Sequence, residues 1–116
     1  MKKLECIIPT KKVAPLYEAL LNFDVWGVTE TSVRGCGKQK GYYKEQEWVD
    51  KARKIRILPF TKLEFIVKDE IVKPLIDLIL KTVGTHSMGD GKIFVCPCKD
   101  AVRISDGKRG IKAISK

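Results

Sequence analysis

An internal repeat at an offset of 59 residues constrains the fold of this 116-residue chain more than any other feature. Positions 3–21 and 62–80 share eight identities in nineteen aligned pairs, and both copies begin with Lys-Leu-Glu. Each copy starts as a strand-like apolar run and continues with apolar residues at helical spacing. The chain is therefore predicted to contain the same β-α unit twice.

Further segments extend each copy to β-α-β. The helical stripes are Val13, Leu16, Tyr17, Leu20 and Leu21 in the first copy and Val72, Leu75, Ile76, Ile79, Leu80 and Val83 in the second. Thr10 and Asp69 are the predicted N-caps, and Pro15 and Pro74 lie late enough that each helix is expected to start later or bend there. Residues 27–33 and 92–96 read as strands, and 101–104 as one more short strand. Two such units predict an α+β, ferredoxin-like fold, an antiparallel four-stranded sheet with both helices on one face.

The second face of this sheet has no covering layer in the predicted fold. We expect it to carry Leu4 or Cys6, Leu63 or Phe65, and Phe94, and to be buried by self-association. The sequence therefore predicts a homo-oligomer.

The charge is concentrated in two places. A single domain of this length carries a net +9, of which residues 34–56 contribute +5 and residues 108–116 contribute +4. This pattern favours an anionic ligand or an acidic partner surface; nucleic acid is the alternative, but no recognition helix or stacking platform is visible. No apolar run is long enough for membrane insertion, and Glu5 and Pro9 interrupt any signal-peptide core, so we expect a cytoplasmic protein.

Residues that could carry catalysis or bind metal are few. The four cysteines include Cys96 and Cys98 in a Cys-Pro-Cys run; small buried hydrophobes are the favoured interpretation and a metal site the alternative. His86, the single histidine, reads as a surface residue, and no pair of carboxylates stands out. We predict no catalytic residues and no enzyme.

The glycine-rich segment Gly84–Lys92 joins the second helix to the following strand. It is not a Walker phosphate loop, because Ile93 and a strand follow the lysine where that motif requires a helix. Successive backbone N–H groups in such a loop can still bind an anion, with Lys92 as a point charge, although a plain turn is the alternative.

Three motifs make the chain recognisable: Gly35–Gly41 (GCGKQKG), Gly89–Val95 (GDGKIFV) and Val102–Ile104 (VRI). Together with the duplication they resemble the PII nitrogen-regulatory signal-transduction family over essentially the whole chain. Cys96-Pro97 and Asp100–Arg103 resemble, less specifically, the branch that regulates nitrogenase. The resemblance implies a homotrimer with adenine-nucleotide sites in the clefts between subunits and a long loop that engages a transporter or a metabolic enzyme.

The resemblance also implies site residues. ADP, AMP or ATP, the last with Mg²⁺, would be bound by Thr29, Gly37, Lys38, Gln39, Glu64, Gly89, Asp90, Gly91, Lys92 and Arg103. The target-binding loop would span residues 37–57, with Tyr42, Tyr43, Trp48, Lys51 and Arg53 as contacts. A solvated hairpin extension is the alternative for this segment. A basic C-terminal tail is expected at about 106–116.

The sequence departs from the family pattern at three points. Ser105 replaces a second basic residue at the phosphates, and Phe60 replaces the lysine that helps to bind 2-oxoglutarate, which argues against 2-oxoglutarate sensing. No tyrosine or serine lies between Lys44 and Arg56 to accept a covalent modification. Two functions therefore stay open: a nucleotide-responsive regulator, or a structural, adaptor or RNA-binding trimer with a vestigial site.

Overall fold

A computed structural model describes the backbone of residues 1–37, 48–50 and 55–115, and side chains within 1–35 and 59–115. The elements in chain order are β1 (Lys2–Pro9), a 3-10 turn (Thr10–Lys12), α1 (Val13–Leu20), β2 (Thr29–Gly37), β3 (Trp48–Asp50), β4 (Ile55–Val67), α2 (Asp69–Val83), β5 (Lys92–Pro97) and a second 3-10 turn (Gly110–Ala113).

The strands form one antiparallel sheet in the order β2-β4-β1-β5, and β3 pairs with the beginning of β4. This α+β arrangement of a sheet and two helices confirms the predicted class and is compatible with the ferredoxin-like order. The two repeated strands lie side by side at the centre, where Leu4 is opposite Phe65 and Cys6 is opposite Leu63. The duplicated sequence thus supplies both central strands and both helices.

The hydrophobic core lies between the helices and one face of the sheet. Alternate side chains of β1 and β4 point into it because successive residues of a strand face opposite ways. The buried set is Leu4, Cys6, Ile8, Leu63, Phe65 and Val67 from the strands and Val13, Leu16, Leu75, Ile79 and Val83 from the helices. Burial of these side chains is the main favourable term in folding.

The prediction for the uncovered face was wrong for four of its residues. Leu4, Cys6, Leu63 and Phe65 are fully buried beneath the helices. The opposite face carries the alternate residues, which include Lys3, Glu5 and Ile7 on β1 and Lys62, Glu64 and Ile66 on β4. Phe94 does lie on this face, opposite Glu5, and is 46% exposed. The prediction assigned the core residues to the uncovered face because both faces of the sheet are partly apolar. Only the positions of the helices distinguish the two faces.

Both helices lie where the apolar spacing predicted them, but Thr10 and Asp69 do not act as the predicted N-caps. Thr10 does not cap α1; its hydroxyl is 3.0 Å from that of Thr61. Asp69 is the first residue of α2, and its carboxylate lies 3.1 Å from the N-terminal ammonium group. Leu21 and Leu80, which are equivalent in the repeat, are 79% and 59% exposed. The apolar stripes are therefore narrower than predicted.

Two predicted segments differ in the structure. Residues 101–104 do not form a strand of the sheet, because Val102 makes only an isolated bridge with Arg109. Within the segment predicted as a continuous loop, Trp48–Asp50 and the start of β4 pair as strands. The described residues contain no helix with the length and apolar composition needed to cross a bilayer.

Candidate functional site

The face of the sheet that points away from the helices, here termed the open face, brings two predicted site residues together. Thr29 at the start of β2 is directly opposite Glu64 of β4. Glu64 is in turn opposite Glu5, and Glu5 is opposite Phe94. Because directly opposite residues of antiparallel strands lie on the same face, with Cβ atoms about 4.5–5.5 Å apart, these four side chains form one row across the sheet. Glu5 was not singled out from the sequence, although its equivalence to Glu64 in the repeat was available as a signal.

The carboxylates of this row are paired with lysines of the same strands. The Lys3 ammonium lies 3.0 Å from the Glu5 carboxylate, and the Lys62 ammonium lies 3.3 Å from the Glu64 carboxylate. The hydrogen bond between Lys3 and Glu5 and the charge of Lys3 lower the pKa of Glu5, and the same hydrogen bond and the charge of Glu5 raise the pKa of Lys3. All four side chains are between 27% and 34% exposed, so the pairs are partly open to solvent.

A second row, next to the acidic one, is basic. Lys62 of β4 and Lys92 of β5 lie on either side of Ile7 of β1. Rows on one face are separated by two residues along a strand, which is about 7 Å. The open face therefore changes from acidic to basic over one row, and Lys92 marks the basic edge beside the glycine-rich loop.

The glycine-rich loop is pinned to β1 by a close backbone approach. Gly91 has φ +106°, and a Cβ at this position would lie 1.9 Å from the carbonyl oxygen of Ile7. His86 and Gly89 also have positive φ values of 61° and 95°. Since no side chain fits between Gly91 and Ile7, the backbone of this loop is fixed immediately before Lys92.

Asp90 shapes this loop from within. Its carboxylate accepts hydrogen bonds from the backbone N–H of Thr85 at 2.7 Å and from the Thr85 hydroxyl at 2.5 Å. These donors lower the pKa of Asp90, so the group stays ionised at neutral pH. Because both oxygens of the carboxylate accept hydrogen bonds from Thr85, Asp90 ties the end of the loop to its beginning.

Arg103 lies in a separate environment. Its Nη1 is 3.0 Å from the Asp106 carboxylate, and its Nη2 donates to the carbonyls of Lys112 at 2.6 Å and Ser115 at 2.5 Å. Arg103, which the resemblance implies as a phosphate-binding residue, therefore contacts the C-terminal segment of its own chain.

A single chain does not bring all ten predicted nucleotide-binding residues together. Gly37, opposite Arg56, lies eight residues along β2 from Thr29, which is about 26 Å at the usual strand rise. Lys38, Gln39, Tyr42, Tyr43, Lys51 and Arg53 lie outside the described residues, as does the side chain of Trp48. Within one chain the structure assembles the Thr29–Glu64 pair and the Gly89–Lys92 loop.

An apolar groove of about 460 Å³ beside Thr29 was missed by the sequence reasoning. It is lined by the end of α1 and the segment that leads into β2, and Trp26 is 58% exposed there. The Tyr17 hydroxyl closes one side by donating to the Glu30 carboxylate. Burial, followed by this carboxylate, raises the pKa of Tyr17 to about 12. An apolar run, Val25–Val28, directly before Thr29 was the available signal.

In the described part of the chain no three His, Cys, Asp or Glu residues are grouped as metal ligands.

Comparison with known proteins decides the family. The family model described as nitrogen regulatory protein P-II matches residues 1–108. The chain belongs to the P-II family. Curated P-II relatives from Bradyrhizobium diazoefficiens and Azospirillum brasilense are each 38% identical to it over 117 residues, covering 98% of this chain and all of the relative. A P-II protein from Haemophilus influenzae is 39% identical with the same coverage.

This membership confirms the resemblance inferred from the duplication and the glycine motifs. P-II proteins are signal-transduction regulators and not enzymes, which agrees with the prediction of no enzymatic activity.

Proposed function

We propose that this P-II family member is a nucleotide-responsive regulator that binds ADP, AMP or ATP in clefts between the subunits of a homotrimer. The observation that carries the proposal is the juxtaposition on the open face: Thr29 is paired with Glu64, and Lys92 follows a glycine loop fixed against β1. The regulator passes its nucleotide state to a target protein, a transporter or a metabolic enzyme of nitrogen metabolism, through the loop of residues 37–57.

The geometry of one chain supports an intersubunit position for the site. Gly37 lies about 26 Å along β2 from Thr29, too far to join the Thr29–Glu64 pair within a subunit, and the side chains of the open face are only partly buried. A second and a third copy packed on this face would cover it and supply the distant residues. Sedimentation at micromolar concentration should therefore show a trimer, and a well-folded monomer would remove the basis for the clefts.

The phosphate end of the site is argued from the glycine loop. The backbone N–H groups of Gly89–Lys92 and the Lys92 ammonium are suited to an anion. Ser105 supplies no positive charge for a third phosphate, so ADP or AMP should compete with ATP at least evenly, with or without Mg²⁺. A hundredfold preference for ATP would show that another cation replaces the missing contact.

The base of the loop is apolar where 2-oxoglutarate would need a cation. The Phe60 ring covers Gly35 so closely that a Cβ on Gly35 would lie 2.8 Å from a ring carbon. Such packing of an aromatic ring on a strand glycine stabilises the sheet but offers no positive charge. We therefore expect 2-oxoglutarate to bind far more weakly than the nucleotides.

Calorimetric titration of the full chain with ADP, AMP and ATP tests the proposal directly. Lys92→Gln should weaken ADP binding about ten- to a hundredfold, because a charge-assisted hydrogen bond is worth roughly 1.5–3 kcal/mol. Lys99→Gln, which removes the same charge from an exposed position beyond β5, is the matched control and should bind normally. No binding of any adenine nucleotide at millimolar concentration would refute the proposal and favour a structural, adaptor or RNA-binding trimer.

The output through the loop has its own test. Tyr42, Tyr43, Trp48, Lys51 and Arg53 are the proposed target contacts. A coupling of about 1–3 kcal/mol between the nucleotide and the loop is enough to change target binding five- to a hundredfold. Proteolysis of the loop should therefore proceed at different rates with and without ADP or ATP. Identical rates in every state would refute the switch even if nucleotide binds tightly.

A further inference from the structure

The C-terminal segment of residues 100–115, here termed the clasp, folds back on itself. The Asp100 carboxylate accepts hydrogen bonds from Arg109 at 2.9 and 2.6 Å and from the backbone N–H groups of Ala101 and Gly110 at 2.8 and 3.2 Å. The N–H of Gly110 also donates to the Ala101 carbonyl at 2.9 Å. These contacts lower the pKa of Asp100 and close the clasp at its base.

Arg103 connects the base of the clasp to its end. Nη2 donates to the carbonyls of Lys112 and Ser115, and Nη1 is paired with Asp106. A guanidinium Nη2 carries two protons, and both are used by the clasp. A phosphate bound in the bidentate mode that guanidinium favours requires one of them, since that mode uses two neighbouring N–H groups.

We infer that the clasp is an autoinhibitory contact on the nucleotide site. The carbonyls of Lys112 and Ser115 occupy the Arg103 guanidinium, and a nucleotide phosphate gains its full contact with Arg103 by displacing them. This inference rests on the proposed role of Arg103 as a phosphate ligand. Coupling is reciprocal, so the clasp lowers nucleotide affinity and bound nucleotide releases a segment that carries Lys112. Nucleotide binding would then change the conformation of the C-terminal segment as well as that of the loop of residues 37–57.

A pair of substitutions at Gly110 tests the clasp without touching Arg103. Gly110 has φ +63° and no atom within 4 Å of an added Cβ, so conformation alone decides which residue fits. Asparagine tolerates this left-handed conformation, whereas β-branched valine does not. Gly110→Val should loosen the clasp and tighten ADP binding about fivefold or more. Gly110→Asn should stay within about twofold of the wild type. A loosened clasp in Gly110→Val with an unchanged ADP affinity would overturn the inference.

The wild-type protein provides a second measurement that needs no variant. The amide of Ile114 donates to the Ile111 carbonyl at 3.2 Å, so its hydrogen exchange reports on the end of the clasp. Saturating ADP should accelerate this exchange and the tryptic cleavage after Lys112. Arg103→Lys keeps the charge but replaces the guanidinium fork, which contacts Asp106 through Nη1 and two carbonyls through Nη2, by a single ammonium group, so it should accelerate both without nucleotide. Unchanged protection in Arg103→Lys would show that Arg103 does not hold the clasp.

The outcomes separate this inference from the proposed function. Wild-type protein that binds ADP while the clasp stays protected would overturn the inference alone. If calorimetry detected no ADP binding to the wild type and none to Gly110→Val, the proposed function and the inference would both be refuted.

Discussion

Replacement of Gly91 by alanine is the sharpest test of how the glycine-rich loop is built. Gly91 has both a positive φ and no space for a Cβ, whereas Gly110 has a positive φ alone. The φ of +106° at Gly91 is a conformation that L-residues rarely adopt, and an added Cβ there would lie 1.9 Å from the backbone oxygen of Ile7. That oxygen belongs to a central strand, so it cannot rotate away as a flexible side chain would.

The expected magnitude is the sum of these two costs. A positive φ costs an L-residue about 1–2 kcal/mol, and forcing an extra carbon into a filled space costs about 1–3 kcal/mol. Gly91→Ala should therefore lower the free energy of unfolding by about 2–5 kcal/mol, a large part of the 5–15 kcal/mol typical of a domain. The loop must also move away from β1, so ADP affinity should fall together with stability.

Urea unfolding at one fixed protein concentration measures the effect, since oligomer stability depends on concentration. Gly110→Ala is the control for conformation alone, because φ is +63° and the surrounding space is open; about 1–2 kcal/mol is expected. Gly27→Ala, with neither constraint, should leave stability unchanged or slightly raised. If Gly91→Ala cost no more than Gly110→Ala, the argument from the Ile7 contact would be refuted.

Three further predictions concern the core and the ionisable groups. Phe65→Ala should lower the free energy of unfolding by about 3–5 kcal/mol, measured in urea, because the ring is fully buried; a loss below about 1 kcal/mol would contradict the assigned core. Burial raises the pKa of Cys6 from 9.0 to about 11, so its contribution to stability is complete below pH 9 and is lost as the pH rises to about 11, by roughly 2–3 kcal/mol. Cys6→Ala should remove that decline in urea unfolding at pH 8–11, leaving the slopes due to other groups with a raised pKa, such as Tyr17 and Lys3; an unchanged pH profile would exclude the thiol as its source. The pKa of Asp90 is lowered from 3.8, so its contribution is present above that pH and is lost as the pH falls through the lower folded value. Asp90→Asn should flatten this acid limb and accelerate hydrogen exchange of the Thr85 amide; equal exchange in both proteins would show that the carboxylate does not hold the loop.

The local order of elements could be predicted from the sequence because it depends on short-range patterns. The repeated apolar spacing placed α1 and α2, the strand-like run that opens each copy placed β1 and the end of β4, and β-forming composition placed β2 and β5. The glycine motifs and the duplication were also sufficient to identify the family. The family resemblance implies Thr29 and Glu64 as site residues, and the sheet register places them opposite each other.

The faces of the sheet and the contacts of the tail could not be predicted in the same way. Both faces of β1 contain apolar residues, and only the packing of α1 and α2 on the side of Leu4 and Cys6 decided which became the core. Similarly, residues 101–104 read as a strand, but they make only an isolated bridge at Val102, and the carbonyls that Arg103 binds come from residues nine and twelve positions away. The sequence by itself determined periodicity and chemistry, which are properties of neighbouring residues. Only the tertiary structure decided which face was covered and which partner each charge met, because these depend on the free energy of packing segments that are distant along the chain.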